Sequence, residues 1–328
     1  MTRLKIGIAG VGKLGTFHGN TLNQIPQAAL AGVYDVDAVR AREAAERFHC
    51  VHFSNYSELL SQVDAVGIAV PTTLHRDFAT AALEAGKAVF VEKPIAASIA
   101  EAEEMVALGL RKKVPIQVGH IERFNPAIRA LEHLLLQPMF VESHRLAPFD
   151  PRGTDVAVVL DLMIHDIDII LSLVQSEVTR IDASGVAVVS EEVDIANARL
   201  QFANGCVANV TASRISQRKM RKMRLFQRDS YVSIDFLQRI SEVFRIIDPE
   251  EGQESTVVLG QIDKGARKRH IIYEQPQPPE GDAMRAEWLA FIAAVNHKSR
   301  PIVSGEDGLQ ALRVAEEITR IIAKGQPG

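Results

Sequence analysis

Within an apolar run, DLMIHDIDIILSL (161–173), side chains able to exchange protons or hydrogen bonds recur at helical spacing. At about 100° per residue, Asp161, His165, Asp168 and Ser172 fall on one narrow stripe of a helix, and Asp166 points the other way. An imidazole accompanied by carboxylates is equipment for general acid–base chemistry. A helix that is apolar elsewhere and carries one polar seam has two readings. It hides a hydrogen-bonded core network, or it lines a cleft. A second basic group, Lys93 in VEKP (91–94), stands at the end of a strand-like run. Taken alone, a lysine there reads as a solvated surface residue.

A second constellation opens the chain. The run KIGIAG leads into GVGKLG (10–15), in which Gly10, Gly12 and Gly15 fit G-x-G-x-x-G, and a helical stretch follows. A second strand, ALAGVYD, ends at Asp35, twenty positions after Gly15. Each part has a mechanical reason. Gly10 permits a tight turn, Gly12 lets backbone approach a pyrophosphate, and Gly15 lets helix and strand pack closely. The helix N-terminus meets the negative charge, and the acid accepts hydrogen bonds from ribose hydroxyls. Asp35 is followed by Val36 and Asp37, so a 2′-phosphate meets negative charge and NAD is expected over NADP.

Those elements belong to a longer alternation of helices and strands that runs to PIQVGH, the pattern of a parallel sheet wound by right-handed crossovers. Ligands lie beyond the C-terminal strand ends of such sheets. Pro71 and Pro94 stop their strands there. VPTTLH (70–75), VEKP and GHIERFNP (119–126) are thereby set near the cofactor. The expected cofactor contacts are Gly10, Gly12, Lys13, Leu14, Gly15, Asp35, Pro71, Thr72, His75, Glu92 and Lys93, with Thr73 nearby.

After Pro126 the periodicity changes. A helix over AIRALEHLLL, a strand FVESHRLAPF and the polar-seamed helix precede strand-like segments with no helices between them. Asn204-Gly205 between apolar alternations signals a hairpin. An exposed loop is expected over 249–281, then two closing helices, with only KGQPG at the end disordered. The fold class is therefore an N-terminal Rossmann doubly wound parallel sheet (1–122) followed by an α+β domain with an open, mostly antiparallel sheet (123–328). One face of that sheet is expected to be covered by a partner subunit, giving a homodimer or homotetramer.

Composition narrows the classes. The 328 residues are 47% hydrophobic and 24% charged, as expected for two globular domains. With 37 basic and 41 acidic residues the net charge is -4, which makes no case for nucleic acid or an anionic membrane. The run SRISQRKMRKMRLFQR (213–228) holds seven basic residues, and a solvated strand-loop-strand is preferred over a diphosphate site, a subunit contact or nucleic acid. Two cysteines without C-x-x-C spacing make neither a disulfide scaffold nor a zinc site, and no metal is expected. There is no signal-peptide pattern and no apolar run of membrane-spanning length, so a cytoplasmic protein is expected.

With GVGKLG, VEKP, the Asp161-x-x-x-His165 pair and Asp168 in this order, the chain resembles the glucose-fructose oxidoreductase, inositol dehydrogenase and rhizopine-catabolism (Gfo/Idh/MocA) family over essentially its whole length. The resemblance implies that Lys93 and His165 meet at the nicotinamide, beside the sugar carbon that loses hydride, with Asp161 in the same constellation. It makes the seam a cleft wall, with Lys93, His165 and Asp161 the catalytic set and Asp168 an orienter or a packing acid. Lys93, His120, Arg123, Asn125, Asp161 and His165 are the expected substrate contacts. Arg123 is equally suited to a surface salt bridge, and His144 and Arg145 read as an exposed edge pair in preference to substrate contacts. Within the family, GHIERFNPA, SHRLAPF and DVAVVLDLMIHDIDIILSLV look like bacterial enzymes that oxidise the 3-hydroxyl of UDP-N-acetylglucosamine, supplying a 3-keto nucleotide sugar to an aminotransferase for lipid A or related surface glycans.

Oxidising a secondary alcohol requires a base near neutral pKa and fixed geometry, because the cofactor carries the redox step. His165 is the expected base, Asp161 its orienter and Lys93 the donor to the substrate oxygen, although a desolvated lysine can itself take that proton. Two rivals stand beside this reading. One is a dehydrogenase of a free sugar, cyclitol or dihydrodiol. The other is a non-catalytic dinucleotide-sensing regulator, against which the presence of Lys93, Asp161 and His165 together argues.

Overall fold

The computed structural model describes residues 3–150, 156–248, 257–264 and 267–325. The first part alternates as its sequence dictates. Its elements are β1 (Leu4–Ala9), α1 (Lys13–Leu22), β2 (Ala28–Tyr34), α2 (Ala38–Phe48), β3 (Val51–His52), α3 (Tyr56–Gln62), β4 (Ala65–Ile68), α4 (His75–Glu84), β5 (Ala88–Glu92), α5 (Ile99–Lys112) and β6 (Ile116–Gly119). The strands form one parallel sheet in the order β3-β2-β1-β4-β5-β6. Strands β1, β4 and β5 are almost wholly apolar because helices cover both faces of such a sheet. The strand order reverses between β1 and β4, the place where doubly wound sheets open a ligand crevice.

The second part runs through α6 (Pro126–Arg129), β7 (Phe140–Leu146), a π-turn at Val159–Met163, α7 (Ile164–Val174), β8 (Val178–Val186), β9 (Ile195–Phe202), β10 (Val207–Ser213), β11 (Met220–Phe226), β12 (Ser230–Asp235), β13 (Ile240–Ile247), β14 (Val257–Lys264), β15 (Arg267–Glu274), α8 (Ala283–His297) and α9 (Gly305–Gly325). Nine strands make one sheet in the order β14-β15-β13-β12-β11-β7-β10-β9-β8. Only β7 and β10 pair in parallel; every other neighbouring pair is antiparallel. The Asn204-Gly205 turn joins β9 to β10, with Gly205 at φ 86 where a side chain would be strained.

Four expectations about elements change. The helix over AIRALEHLLL stops at Arg129, because Leu131 and Leu134 close tighter three-residue turns onto Ile128 and Leu131. The stretch expected as an exposed loop contains the β14–β15 hairpin, whose alternation was hidden by its charges and Gly260; residues 249–256 lie outside the described residues. At the C-terminus, Lys324 and Gly325 are still helical, and Gln326–Gly328 lie outside the described residues. The fourth concerns the domains. By backbone packing, Met1–Phe124 and Gly281–Arg313 form one unit, and Asn125–Glu280 with Val314–Gly328 the other. The expected second domain is thus not one continuous piece from 123. Helix α8 returns to the first unit because Trp288, Phe291 and Ile292 are buried in the core built on Ile6, Ile8 and Phe90.

In the second unit one sheet face is covered and the other is partly open. On β7, Val141, Ser143 and Arg145 are buried and alternate with half-buried Phe140, Glu142, His144 and Leu146. On that open side the rings of Phe140, Phe226, Tyr231, Phe244 and Tyr273 form a row across five strands, with neighbouring centroids 5.1–5.9 Å apart. Among the described residues, no helix is long and apolar enough to cross a membrane.

Candidate functional site

The glycine turn after β1 is built for close approach. Gly10 sits at φ 85, and a Cβ there would be 2.7 Å from the Ala69 carbonyl oxygen. A Cβ on Gly15 would lie 1.9 Å from the Gly10 carbonyl oxygen, so only glycine lets α1 start against this turn. At Gly12 a Cβ would meet nothing within 4 Å; the space faces away from the protein. Gly12 offers no side-chain cap to α1, and the first turn of that helix holds no acid. Backbone N–H groups of that turn therefore remain available to an anion. Lys13 and Leu14 are exposed beside them. These features fit the diphosphate of a dinucleotide.

Asp35, just beyond β2, has a side chain only 5% exposed. Its Oδ2 accepts the Val11 N–H at 2.9 Å and its Oδ1 the Asp37 N–H at 2.9 Å. The acid thus braces the glycine turn, and its remaining lone pairs are free to take ribose hydroxyls. Asp37 caps α2 by accepting from Val39 and Arg40. Arg40, one turn along α2, stands 3.5 Å from Asp35, so the surroundings of a 2′-hydroxyl are not uniformly negative.

Residues 71–75, 92–93 and 120–123 follow or end β4, β5 and β6. Pro71 and Thr73 are exposed and Thr72 half-buried, in the turn after β4. His75 opens α4, is 1% exposed, and has Nδ1 2.9 Å from the Pro94 carbonyl and Nε2 3.0 Å from the Val70 carbonyl. Burial holds the ring below the usual imidazole range despite those carbonyls. It ties the loop after β4 to the loop after β5. Glu92 ends β5 and Lys93 follows, half-buried. Glu92 Oε1 lies 2.7 Å from His18 Nε2, and its Oε2 accepts the Lys93 N–H at 3.2 Å. Burial alone would raise the Glu92 carboxyl; the hydrogen bond from His18, then the Lys93 N–H and ammonium, outweigh it and hold the carboxyl below its ordinary range. His120 follows β6 and is 1% exposed, and Arg123 is half-buried in the next turn.

In the second unit, Asp161 lies in the π-turn and His165 one turn later in α7; both are half-buried. Asp168 is buried on the same helix, and Ser172 donates to the Ile169 carbonyl at 2.7 Å. The π-turn resets the phase of the seam, which an ideal helical wheel does not anticipate. Asp166 points away as expected and meets Arg145: Nε–H donates to Oδ2 at 2.7 Å and Nη2–H to Oδ1 at 3.0 Å. Arg145 is therefore no exposed edge residue. Strand β7 lies between β11 and β10, and the alternation that buries Val141 buries Arg145 with it.

Asn125 is buried: its Oδ1 accepts the Ala127 N–H as the cap of α6, and its Nδ2 donates to the Phe236 carbonyl at 3.2 Å. The basic run is divided. Arg214 is buried, bonded to the Val156 carbonyl and 3.7 Å from Asp194. Lys222 and Arg224 face Asp235 and Glu142 across neighbouring strands. Two features escaped the reading of the sequence. Arg145–Asp166 was findable from the inward phase of FVESHRL. His18, three residues after Gly15, carried no local signal, because its partners are 74 and 270 residues away. Among the described residues, no group of three His, Cys, Asp or Glu side chains is arranged to hold a metal ion.

Comparison with known proteins agrees with this construction. Residues 4–120 match an oxidoreductase family described by its NAD-binding Rossmann fold, and residues 149–327 match the C-terminal alpha/beta domain of the same family. The chain is 40% identical over 245 residues to UDP-N-acetylglucosamine 3-dehydrogenase of Acidithiobacillus ferrooxidans, covering 74% of this chain and 78% of that protein. It is 30% identical over 332 residues to myo-inositol 2-dehydrogenase of Thermotoga maritima, covering 94% and 93%. A solved structure of the A. ferrooxidans enzyme aligns over 99% of both chains with a TM-score of 0.87 and 33% identity. For Lactobacillus casei scyllo-inositol dehydrogenase with bound NAD(H), the TM-score is 0.78 at 21% identity, a likeness of fold alone. With both of its halves matched in order, the chain belongs to the Gfo/Idh/MocA family of oxidoreductases.

Proposed function

We propose that the protein oxidises the 3-hydroxyl of UDP-N-acetylglucosamine to the 3-keto nucleotide sugar, with NAD as acceptor. The observation that carries this reading is the end-to-end likeness to a UDP-N-acetylglucosamine 3-dehydrogenase, at a TM-score of 0.87 over 99% of both chains. When bound, the dinucleotide supplies the hydride acceptor. The chain's own residues do the rest. His165 takes the hydroxyl proton, Asp161 orients its ring, and Lys93 donates a hydrogen bond to the oxygen as negative charge develops. Gly12, the first turn of α1 and Asp35 hold the diphosphate and ribose. The ketone formed is a substrate for an aminotransferase, and we assign the reaction to the cytoplasm, ahead of an amide-linked lipid A or a related glycan. The row of five rings on the open face of the second sheet supports a homodimer or homotetramer assembled through it.

The identity to myo-inositol 2-dehydrogenase over 94% of this chain favours a second reading, a free cyclitol or sugar as substrate. Absorbance of reduced nicotinamide separates the two. A signal with UDP-N-acetylglucosamine, amplified by trapping the ketone with an aminotransferase, is expected. A signal with free polyols alone would replace the nucleotide sugar by them, and silence with every sugar despite tight NAD binding would point to a regulator.

A further inference from the structure

His18 is a 2% exposed histidine outside the set of cofactor and substrate contacts. The Trp288 indole N–H donates to its Nδ1 at 3.0 Å. An indole nitrogen is a donor only, so Nδ1 carries no proton and the ring proton sits on Nε2. Nε2–H then donates to Glu92 Oε1 at 2.7 Å. Trp288 is itself fixed, stacked on Phe90 with centroids 4.4 Å apart. On the opposite side, β6 presses on the same carboxylate: a Cβ on Gly119 would lie 3.0 Å from Glu92 Oε2. The other oxygen, Oε2, receives the N–H of Lys93. The charged or titratable groups acting on Glu92 are His18 from α1 and Lys93 from its own strand end, with His75 of α4 sensing its charge.

We propose that His18 is a positioning residue: locked in one tautomer by Trp288, it donates to Glu92 and holds it in place, and Glu92 sets the backbone from which Lys93 reaches the substrate. This rests on the reading of Lys93 as a catalytic residue. It also gives the lone tryptophan a task beyond packing, because without its N–H the imidazole is free to turn its proton away from Glu92.

The test has a spectroscopic and a kinetic arm, both on the full-length protein. In ¹⁵N-histidine NMR, with His18 assigned by comparison with His18→Gln, His18 is expected to show a bare Nδ1 and a protonated Nε2 from pH 6 to pH 8. A proton on Nδ1 would overturn the proposal. In the kinetic arm, His18→Leu is expected to lower kcat about 30-fold while the NAD dissociation constant stays within about threefold. His18→Gln, whose amide nitrogen reaches the place of Nε2, should recover most of the loss. Gly119→Ala, which crowds the carboxylate without touching α1, should lower kcat in the same direction with NAD affinity kept. Loss of NAD affinity in step with turnover, or equal loss in the Leu and Gln variants, would reduce His18 to a packing residue and overturn the proposal. Lys93→Met separates the underlying reading: unchanged turnover there would remove Lys93 from the reaction and take this inference with it. Collapsed turnover in Lys93→Met beside a normal His18→Leu would overturn the His18 role alone.

Discussion

Replacing Arg145 with leucine should be among the most damaging single changes in the second unit. The guanidinium makes two parallel hydrogen bonds to Asp166, at 2.7 and 3.0 Å, and both side chains are 2% exposed. Its carbon also lies 5.9 Å from the centre of the Phe236 ring. Leucine refills some volume but leaves the Asp166 carboxylate buried without its bidentate partner, a loss of about 3–5 kcal/mol. For a unit of this size about 2–4 °C of melting temperature accompanies each kcal/mol, so a fall of roughly 6–20 °C is expected in calorimetric or circular-dichroism melts. Arg145→Met combined with Asp166→Leu should recover most of that fall, because the desolvation of both charges disappears with them. Asp166 follows His165 directly, so Arg145→Leu should also reduce turnover at temperatures where the protein is still folded. A shift below about 2 °C for Arg145→Leu, or a double variant less stable than either single one, would refute the view that this pair anchors α7 to β7.

His165→Ala should retain NAD affinity and lose at least about 100-fold in kcat, measured with the nucleotide sugar; unchanged turnover would take it out of the proton transfer. Asp35→Ala should weaken NAD binding about tenfold or more by calorimetric titration, because the Val11 N–H loses its acceptor along with the ribose hydroxyls. Asp194 gives a pH dependence. Burial would raise its carboxyl, but the N–H groups of Val188, Val189 and Ser190 and the Ser190 hydroxyl hold it well below the usual range. Its folded-state pKa is depressed, so its stabilisation is present above about pH 4 and is lost as the pH falls below that. Urea titrations between pH 3 and pH 6 should show a limb that Asp194→Asn flattens, and an unchanged limb would assign the acid sensitivity elsewhere.

The amino-acid sequence by itself determined the elements whose signals are local. GVGKLG, the strand ending at Asp35 and the strand ends at Pro71 and Pro94 are legible because each turn, cap and strand stop is decided within a few residues. The same holds for the Asn204-Gly205 hairpin. What depended on packing was not legible. Arg145 reads as an exposed basic residue until β7 is placed between two neighbours and turned so that its odd-numbered positions face Asp166. The β14–β15 hairpin looks like a polar loop until β13 supplies an edge to pair with. Helix α8 looks like a late part of the second domain until its tryptophan is seen against Phe90. His18 is the clearest case: its tautomer is dictated by an indole 270 residues away, and only the tertiary fold brings a donor-only partner to one ring nitrogen and a carboxylate to the other. Local propensity fixes where a chain bends and where it runs straight, whereas the protonation and orientation of a buried side chain depend on partners that sequence distance conceals.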